Sequence, residues 1–247
     1  MNLSPITDLL HNLAFGLAII PPFEYSSNIM ELGIIFDWDG TLVDSSEQHN
    51  QSWGQLAKEA GFLFSPEAHH EAIGSKNERL ISQVFGWTQD PAQIQAIALR
   101  KEEIYREVIQ KNPVKLIPGA LELLVDLAKY SIPCAIGSST PRKNIEAVFQ
   151  KRPLNHYFKA IITGDDVTNS KPHPEVFLKA AKAINCPPIN CIVFEDAHLG
   201  ITAALAAGMK AIALTTSLPK HMFSDAHHVV SDLTEINLSE LNQLLVH

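Results

Sequence analysis

The sequence predicts an α/β fold, a doubly wound parallel sheet with an inserted helical segment, and three observations carry that prediction. The apolar run Leu-Gly-Ile-Ile-Phe at 32–36 is short and unbroken, as in a strand buried on both faces. From Pro113 onward, strand-like apolar runs alternate with helical patterns at the spacing of βαβ units. Between these regions, from Ser45 to about Asn112, the periodicity is helical and no strand pattern occurs.

After the first strand, Ser45 or Ser46 caps a helix that runs through Gln48, Trp53, Leu56 and Ala57 to Gly61. Ser65-Pro66-Glu67 opens a second helix, ended by Gly74, and 77–85 and 91–110 supply two more. Helix 118–129 then precedes strand 133–137, helix 141–149 precedes strand 160–163, helix 174–184 precedes strand 191–194, and helix 199–207 precedes strand 211–214. Val229-Val230 reads as an edge strand and 238–246 as a closing helix. The expected division is an N-terminal appendage over 1–29, a Rossmann-like core from 30–44 and 116–247, and a helical domain over 45–115.

The apolar stretch 9–20 precedes Pro21-Pro22, but the first basic residue is Lys58, so a secretory leader's positive region is missing, as is the arginine of a transit peptide. The stretch is broken by His11 and Asn12 and is too short to span a bilayer. Met30 is a candidate functional start. A composition of 46% hydrophobic and 19% charged residues is that of a globular protein, and a net charge of −8 weighs against nucleic acid as a partner. Cys134, Cys186 and Cys191 are odd in number and lack metal-site spacing, so they read as buried thiols in a reducing, cytoplasmic compartment. The expectation is a monomer or weak homodimer acting on a small molecule, away from membranes.

Ligands of such folds bind at the carboxyl ends of the strands, and four strand ends here carry the residues that phosphoryl transfer requires. The first ends in Asp37 with Asp39 two residues on, a spacing that lets one carboxylate attack phosphorus while the other moves protons. Another ends in Ser138-Ser139-Thr140, whose hydroxyls and N–H groups can hold phosphate oxygens. Lys171 supplies positive charge for a transition state that gathers negative charge. Glu195-Asp196, with Asp37, makes the hard all-oxygen site that magnesium prefers, and these carboxylates would repel one another without a cation.

Asp37-Trp38-Asp39-Gly40-Thr41-Leu42-Val43-Asp44 resembles the first motif of the haloacid dehalogenase-like hydrolase superfamily. Ser138 resembles the second motif, Lys171 the third and Glu195-Asp196 the fourth. An isolated DxDG is an ordinary turn, whereas four motifs in order across roughly 32–245 are specific. The helical insert resembles the cap domain of the subfamily that includes β-phosphoglucomutase and phosphoglycolate phosphatase. The resemblance implies a magnesium-dependent phosphatase in which Asp37 becomes a phosphoaspartate, Asp39 is general acid and base, and Ser138 and Lys171 hold the phosphoryl group. It places Mg2+ on Asp37, Asp196, the backbone carbonyl of Asp39 and Glu195, directly or through water. Gly40 then permits the tight turn between the aspartates.

Substrate-binding candidates are Ser139, His49, Lys76 and Arg142. His49 occupies a position similar to a histidine near the mutase acid/base; the other reading is a surface histidine. Lys76 stands where mutase-like enzymes carry arginine, and exchanging a bidentate clamp for a point charge weighs against a mutase; the other reading is a solvated lysine. Arg142 reaches either substrate or the surface, and His198 either supports the metal carboxylates or is exposed. Trp38 is expected to pack away from the site. The rivals to the phosphatase are a sugar phosphomutase, a phosphonate hydrolase using Lys58 or Lys76 as a Schiff base, and a catalytically idle binding protein. A dehalogenase is disfavoured by Asp39 and the Glu195-Asp196 pair.

Overall fold

The computed structural model describes residues 32–72 and 74–246. The appendage expected over 1–29 lies outside the described residues. In chain order, β1 (Gly33–Phe36) leads through a tight turn to β2 (Val43–Asp44). The helical segment follows as α1 (Ser46–Ala60), α2 (Pro66–Glu71), α3 (Asn77–Arg79), which runs on into a π-helical turn at Leu80–Val84, and α4 (Pro91–Lys111). The chain returns through β3 (Lys115–Leu116) and continues as α5 (Ala120–Lys129), β4 (Cys134–Gly137), α6 (Arg142–Phe149), β5 (Ala160–Ile162), α7 (Glu175–Ala183) and β6 (Cys191–Glu195). It ends with α8 (His198–Ala206), β7 (Lys210–Leu214), β8 (His228–Val230) and α9 (Leu238–Val246).

Six strands form a parallel sheet in the order β5-β4-β1-β6-β7-β8. In the centre, Ile35 of β1 lies level with Ala135 of β4 and Val193 of β6. The chain order runs outward in both directions from β1, so the crevice beyond its carboxyl end is the switch point where such sheets bind ligands. Strand side chains alternate between faces. Ile34 and Phe36 pack with Leu123, Leu127, Ile145 and Val148 from α5 and α6, while Ile35 packs with Val176, Phe177, Ile201 and Ala204 from α7 and α8. Burial on both faces explains the continuous apolar run. The ring of Phe36 stacks on Phe194 at 5.0 Å, one residue before Asp37 and one before Glu195. Cys134, Cys186 and Cys191 are buried.

The helical segment has its own apolar cluster of Trp53, Leu56, Leu80, Ile81, Ala98 and Ile104. Phe85 and Trp87 stand edge-on to Trp53 at 5.2 and 5.7 Å. Helix α4 belongs to both regions, because Tyr105 and Ile109 are packed into the sheet's core cluster. β2 and β3 pair antiparallel, Val43 with Leu116 and Asp44 with Lys115, and so tie together the entry and exit of the helical segment. Local signals set the helix ends: Ser65 Oγ accepts the Ala68 N–H, Asp90 Oδ1 accepts those of Ala92 and Gln93, and Gly61 takes φ 74° after α1.

Two expectations are corrected. Residues 77–85 are not one α-helix: the chain widens into a π turn, with the Phe85 N–H donating to the Leu80 carbonyl, while Leu80 and Ile81 point into the cluster. Gly74 does not end α2, which stops at Glu71 with Ala72 as its cap. Among the described residues, no helix is long and apolar enough to cross a membrane.

Candidate active site

Asp37 follows β1 directly, and its N–H donates to the Phe194 carbonyl at 2.9 Å, which continues the sheet pairing into the site. The next residues form a tight turn in which Leu42 and Val43 donate to the Trp38 carbonyl and Gly40 donates to that of Val43. Gly40 has φ +76°, and a Cβ there would collide with the Asp196 carboxyl group, so only glycine fits. Trp38 is fully buried, with its ring edge-on to Phe149 at 5.3 Å, and therefore packs away from the crevice as expected.

The carboxyl ends of β1 and β6 and the loop after β5 bring Asp37, Glu195, Asp196 and Lys171 together, all buried. Lys171 Nζ donates to Asp37 Oδ1 and to Glu195 Oε1, both at 2.6 Å. Glu195 Oε2 accepts the N–H groups of Asp196 and Ala197 at 2.9 and 2.8 Å, so both of its oxygens are engaged. Helix α8 approaches so closely here that a Cβ on Gly200 would overlap the Glu195 carboxyl group. One oxygen from each of Asp37, Glu195 and Asp196 lies within 4.8 Å of the others. Three buried carboxylates thus face a single ammonium.

The consequence appears in their protonation. Burial, opposed by Lys171 and reinforced by Glu195, pushes the Asp37 carboxyl up to about 7. Burial, with Glu195 and Asp37 adding to it, holds Asp196 well above the usual carboxylate range. Burial works against the Lys171 ammonium, but Asp37 and Glu195 overcome it and keep the amine charged beyond its ordinary range. The cluster is short of positive charge, and its carboxylate oxygens suit a hard divalent cation, although Asp196 also accepts hydrogen bonds from Thr41 Oγ1 at 3.4 Å and from the Ser217 side chain.

Asp39 sits in different surroundings. It accepts a hydrogen bond from Ser45 Oγ at 2.5 Å and another from Thr140 Oγ1, and His49 Nε2 lies 3.3 Å from its Oδ1. Burial raises this carboxyl, but His49 and the two hydroxyls outweigh it and bring it down to about 2. His49 projects from α1, stacks on Tyr105 at 4.3 Å, and places Nδ1 2.8 Å from the ammonium of Lys101, itself only 2% exposed. Ser138 is buried after β4; its N–H donates to the Ile162 carbonyl and its Oγ accepts the Thr140 N–H at 3.1 Å.

A cavity of about 270 Å³ lies above these groups. Asp37, Asp39, Ser138, Ser139, Lys171 and Asp196 form its floor, and His49, Asn50, His69, Lys76 and Asn77 come from the helical segment. Arg142 is not among the lining residues. Its guanidinium turns to Asp166 at 2.7 Å and to the Ile161 carbonyl at 2.9 Å, which corrects the expectation that it reaches substrate. His198 is exposed at the start of α8 and does not line the cavity either. Thr140, expected to hold phosphate oxygens, gives its hydroxyl to Asp39 instead. Ser45, Lys101, Glu102 and Gly200 were not singled out from the sequence as site residues. One signal was available for two of them: Lys101 and Glu102 share the buried face of α4 with Ala98, Tyr105 and Val108, at helical spacing.

Residues 34–214 match the family model of haloacid dehalogenase-like hydrolases, and the chain belongs to that family. It is 35% identical over 215 residues to the chloroplastic 5-amino-6-(5-phospho-D-ribitylamino)uracil phosphatase of Arabidopsis thaliana, covering 86% of this chain but only 57% of that protein. It is 33% identical over 183 residues to the fructose-1-phosphate phosphatase YqaB of Escherichia coli, covering 73% of this chain and 94% of that one. Among solved structures, a haloacid dehalogenase hydrolase of family IA, variant 3, from Entamoeba histolytica is similar with a TM-score of 0.80 and 29% identity, covering 87% of this chain and 100% of that one.

Two predictions follow from the site geometry. Gly200→Ala drives a methyl group into the Glu195 carboxyl and displaces it from Lys171; urea unfolding is expected to read a loss of about 3 kcal/mol, the scale of a broken buried ion pair. His69 donates through Nδ1 to Asn50 Oδ1 at 2.8 Å, and burial, helped by His49 and Lys101, holds its ring neutral down to about 3. The unfolded chain takes up that proton below about 6.5, so the stability from this residue is complete above that pH and drains as pH falls toward 3. Between pH 7 and 5 the wild-type protein is expected to lose up to about 2 kcal/mol more than His69→Gln, measured by urea titration at each pH; parallel losses would contradict this.

Proposed function

We propose that the protein is a magnesium-dependent phosphatase that hydrolyses a small sugar or polyol phosphate through a phosphoaspartate at Asp37. The observation that carries this reading is the Lys171 ammonium held between Asp37 and Glu195, with Asp196 beside them, on the floor of a cavity at the switch point of the sheet. In this reading the carboxylate of Asp37 attacks phosphorus, and the bond to the leaving oxygen breaks. Asp39, in its protonated form, hands that oxygen its proton and is left as the carboxylate that acts on water in the second step, with His49 Nε2 3.3 Å away to orient it. Water then attacks the phosphoaspartate, Asp39 takes its proton, and inorganic phosphate leaves with Asp37 restored. Lys171, Ser138 and Ser139 hold the phosphoryl oxygens as negative charge gathers on them.

Asp37 and Asp196, with the backbone carbonyl of Asp39, would hold Mg2+, which when bound neutralises charge on the phosphate oxygens. Glu195 has both oxygens engaged, so its part is to fix Lys171 and the loop at Asp196 and Ala197. Residues 45–115 act as a cap that excludes water and selects the leaving group. Two supports bear on the substrate class. The relatives above are named for phosphates of a ribityl chain and of fructose, both hydroxyl-bearing carbon chains. The cap side of the cavity presents the polar groups Asn50, His69 and Asn77, with the charges of Lys76 and Glu78 and the paired Lys101 and Glu102.

With magnesium present, the enzyme is expected to release inorganic phosphate from fructose 1-phosphate or ribitol 5-phosphate and to stop when the metal is chelated. Asp37→Asn is expected to lower kcat by roughly 10⁴-fold or more while leaving the far-ultraviolet circular dichroism unchanged. Turnover of that variant within tenfold of wild type would refute the covalent route. Isomerised sugar phosphate in place of free phosphate would refute hydrolysis.

A further inference from the structure

The loop over the reaction centre, residues 74–77, is fastened at two points, and the second of these leads to a residue with no other evident part in the reaction. At the first, Gly74 has φ +83°, and a Cβ there would stand 3.0 Å from the Cβ of Ala197, so the loop lies directly on the segment after Asp196. At the second, Asn77 Nδ2 donates to Glu102 Oε1 at 2.6 Å. The other oxygen of Glu102 accepts from Nδ2 of Asn144, a fully buried residue of α6. Asn144 is itself oriented by Arg106, whose Nη1 donates to Asn144 Oδ1 at 2.9 Å. Lys76, adjacent to Asn77, lines the cavity, whereas Asn144 does not.

We propose that Asn144 and Glu102 are positioning residues that set the height of the 74–77 loop above the phosphoryl site, and so determine how the leaving group of the substrate is recognised. Glu102 is only 8% exposed and its carboxylate accepts from Lys101, Asn77 and Asn144, so it joins the loop to a helix of the sheet's own core. A carboxylate with two oxygens can serve three donors, while an amide in its place offers one oxygen and two unwanted N–H groups. The Glu102–Asn144 half of the tie is buried and the Asn77 half partly so, and leaving a buried member unpaired is costlier than at a surface. Asn144 does not line the cavity, and its side chain reaches it through Glu102, which lines the cavity itself and holds Asn77 beside Lys76. This inference rests on the phosphatase reading.

The test compares a substrate that fills the cap side of the cavity with one too small to reach it. Fructose 1-phosphate and ribitol 5-phosphate are the first kind, and acetyl phosphate is the second. In Asn144→Ala, KM for the faster polyol phosphate is expected to rise about tenfold with kcat within threefold, while kcat/KM for acetyl phosphate stays within twofold. Asn144→Asp, of nearly equal volume but opposing Glu102 with a second carboxylate, is expected to give the same split without a cavity. Asn77→Ala combined with Asn144→Ala is expected to be no worse on the polyol phosphate than the more damaging single variant, because both cut the same chain. Equal losses on both kinds of substrate, unchanged KM in both Asn144 variants, or multiplicative effects in the double variant would overturn the proposal. Wild-type protein that hydrolyses neither kind of substrate would defeat the phosphatase reading itself. Wild-type protein active on both, with Asn144 variants indistinguishable from it, would defeat only the present inference.

Discussion

One buried ammonium holds the site together. Lys171 lies 134 residues from Asp37 and 24 from Glu195 in sequence, yet it bridges the two at 2.6 Å. Such a bridge adds little net stability, since desolvating the ions offsets much of their attraction; its importance is that it supplies the positive charge between two buried carboxylates. Asp37, Glu195 and Asp196 converge because β1 and β6 pair in register, with Phe36 level with Phe194. Apolar packing on both faces of the sheet fixes that register, and the sheet then forces the carboxylates together. The ammonium relieves part of their repulsion, and the remainder makes the cluster receptive to a divalent cation.

The helical segment is coupled to this centre by chemistry as well as by contact. Helix α4 buries its apolar face in two directions, with Ile104 in the segment's own cluster and Tyr105 and Ile109 in the core cluster of the sheet. Between these groups lie Lys101 and Glu102, two charges within the buried stripe. A surface lysine there would be unremarkable. A buried one has to be matched, and Lys101 is matched by Glu102 at 3.1 Å and by the ring of His49 at 2.8 Å. The polar groups inside α4 therefore place the imidazole that faces Asp39, and one helix links the packing of the cap to the protonation of the floor.

Much of the sheet and of the site floor was legible in the sequence. Burial on both faces leaves unbroken apolar runs, and the polar residues that end those runs mark the functional edge. This is how Asp37, Ser138 and Glu195-Asp196 could be picked out, whereas Lys171 lies in the loop nine residues beyond β5 and was marked by its likeness to the third motif. What was not legible depends on partners distant in the chain. Arg142 reads as a free cation near the second motif, but its guanidinium is taken by Asp166, 24 residues on. Lys101 drew no reading from the sequence, although its spacing from Ala98, Tyr105 and Val108 places it on the inner face of its helix. The two-residue strands β2 and β3 carry too few residues for any period, and the π turn at Leu80–Val84 obeys packing rather than propensity.

The contrast between Asp37 and Asp39 follows from these placements. Both are buried carboxyls two residues apart in one turn, and composition alone gives no reason for them to differ. Asp37 is pushed up to about 7 by burial, with Glu195 adding to it and Lys171 opposing it. Asp39 faces two hydroxyls and an imidazole and is drawn down to about 2. Separating a pair of like groups by environment is how one fold assigns different tasks to each. The groups responsible come from different places: the neighbours of Asp37 belong to the sheet, while Ser45 and His49 stand at the start of the helical segment. In the proposed reaction the nucleophile is thus prepared by the sheet and the loop that carries Lys171, and the proton-transfer group draws its character partly from Thr140 of the core and partly from the helical segment. Closure over the substrate and readiness for proton transfer then become one event, so chemistry waits for a site from which bulk water has been displaced.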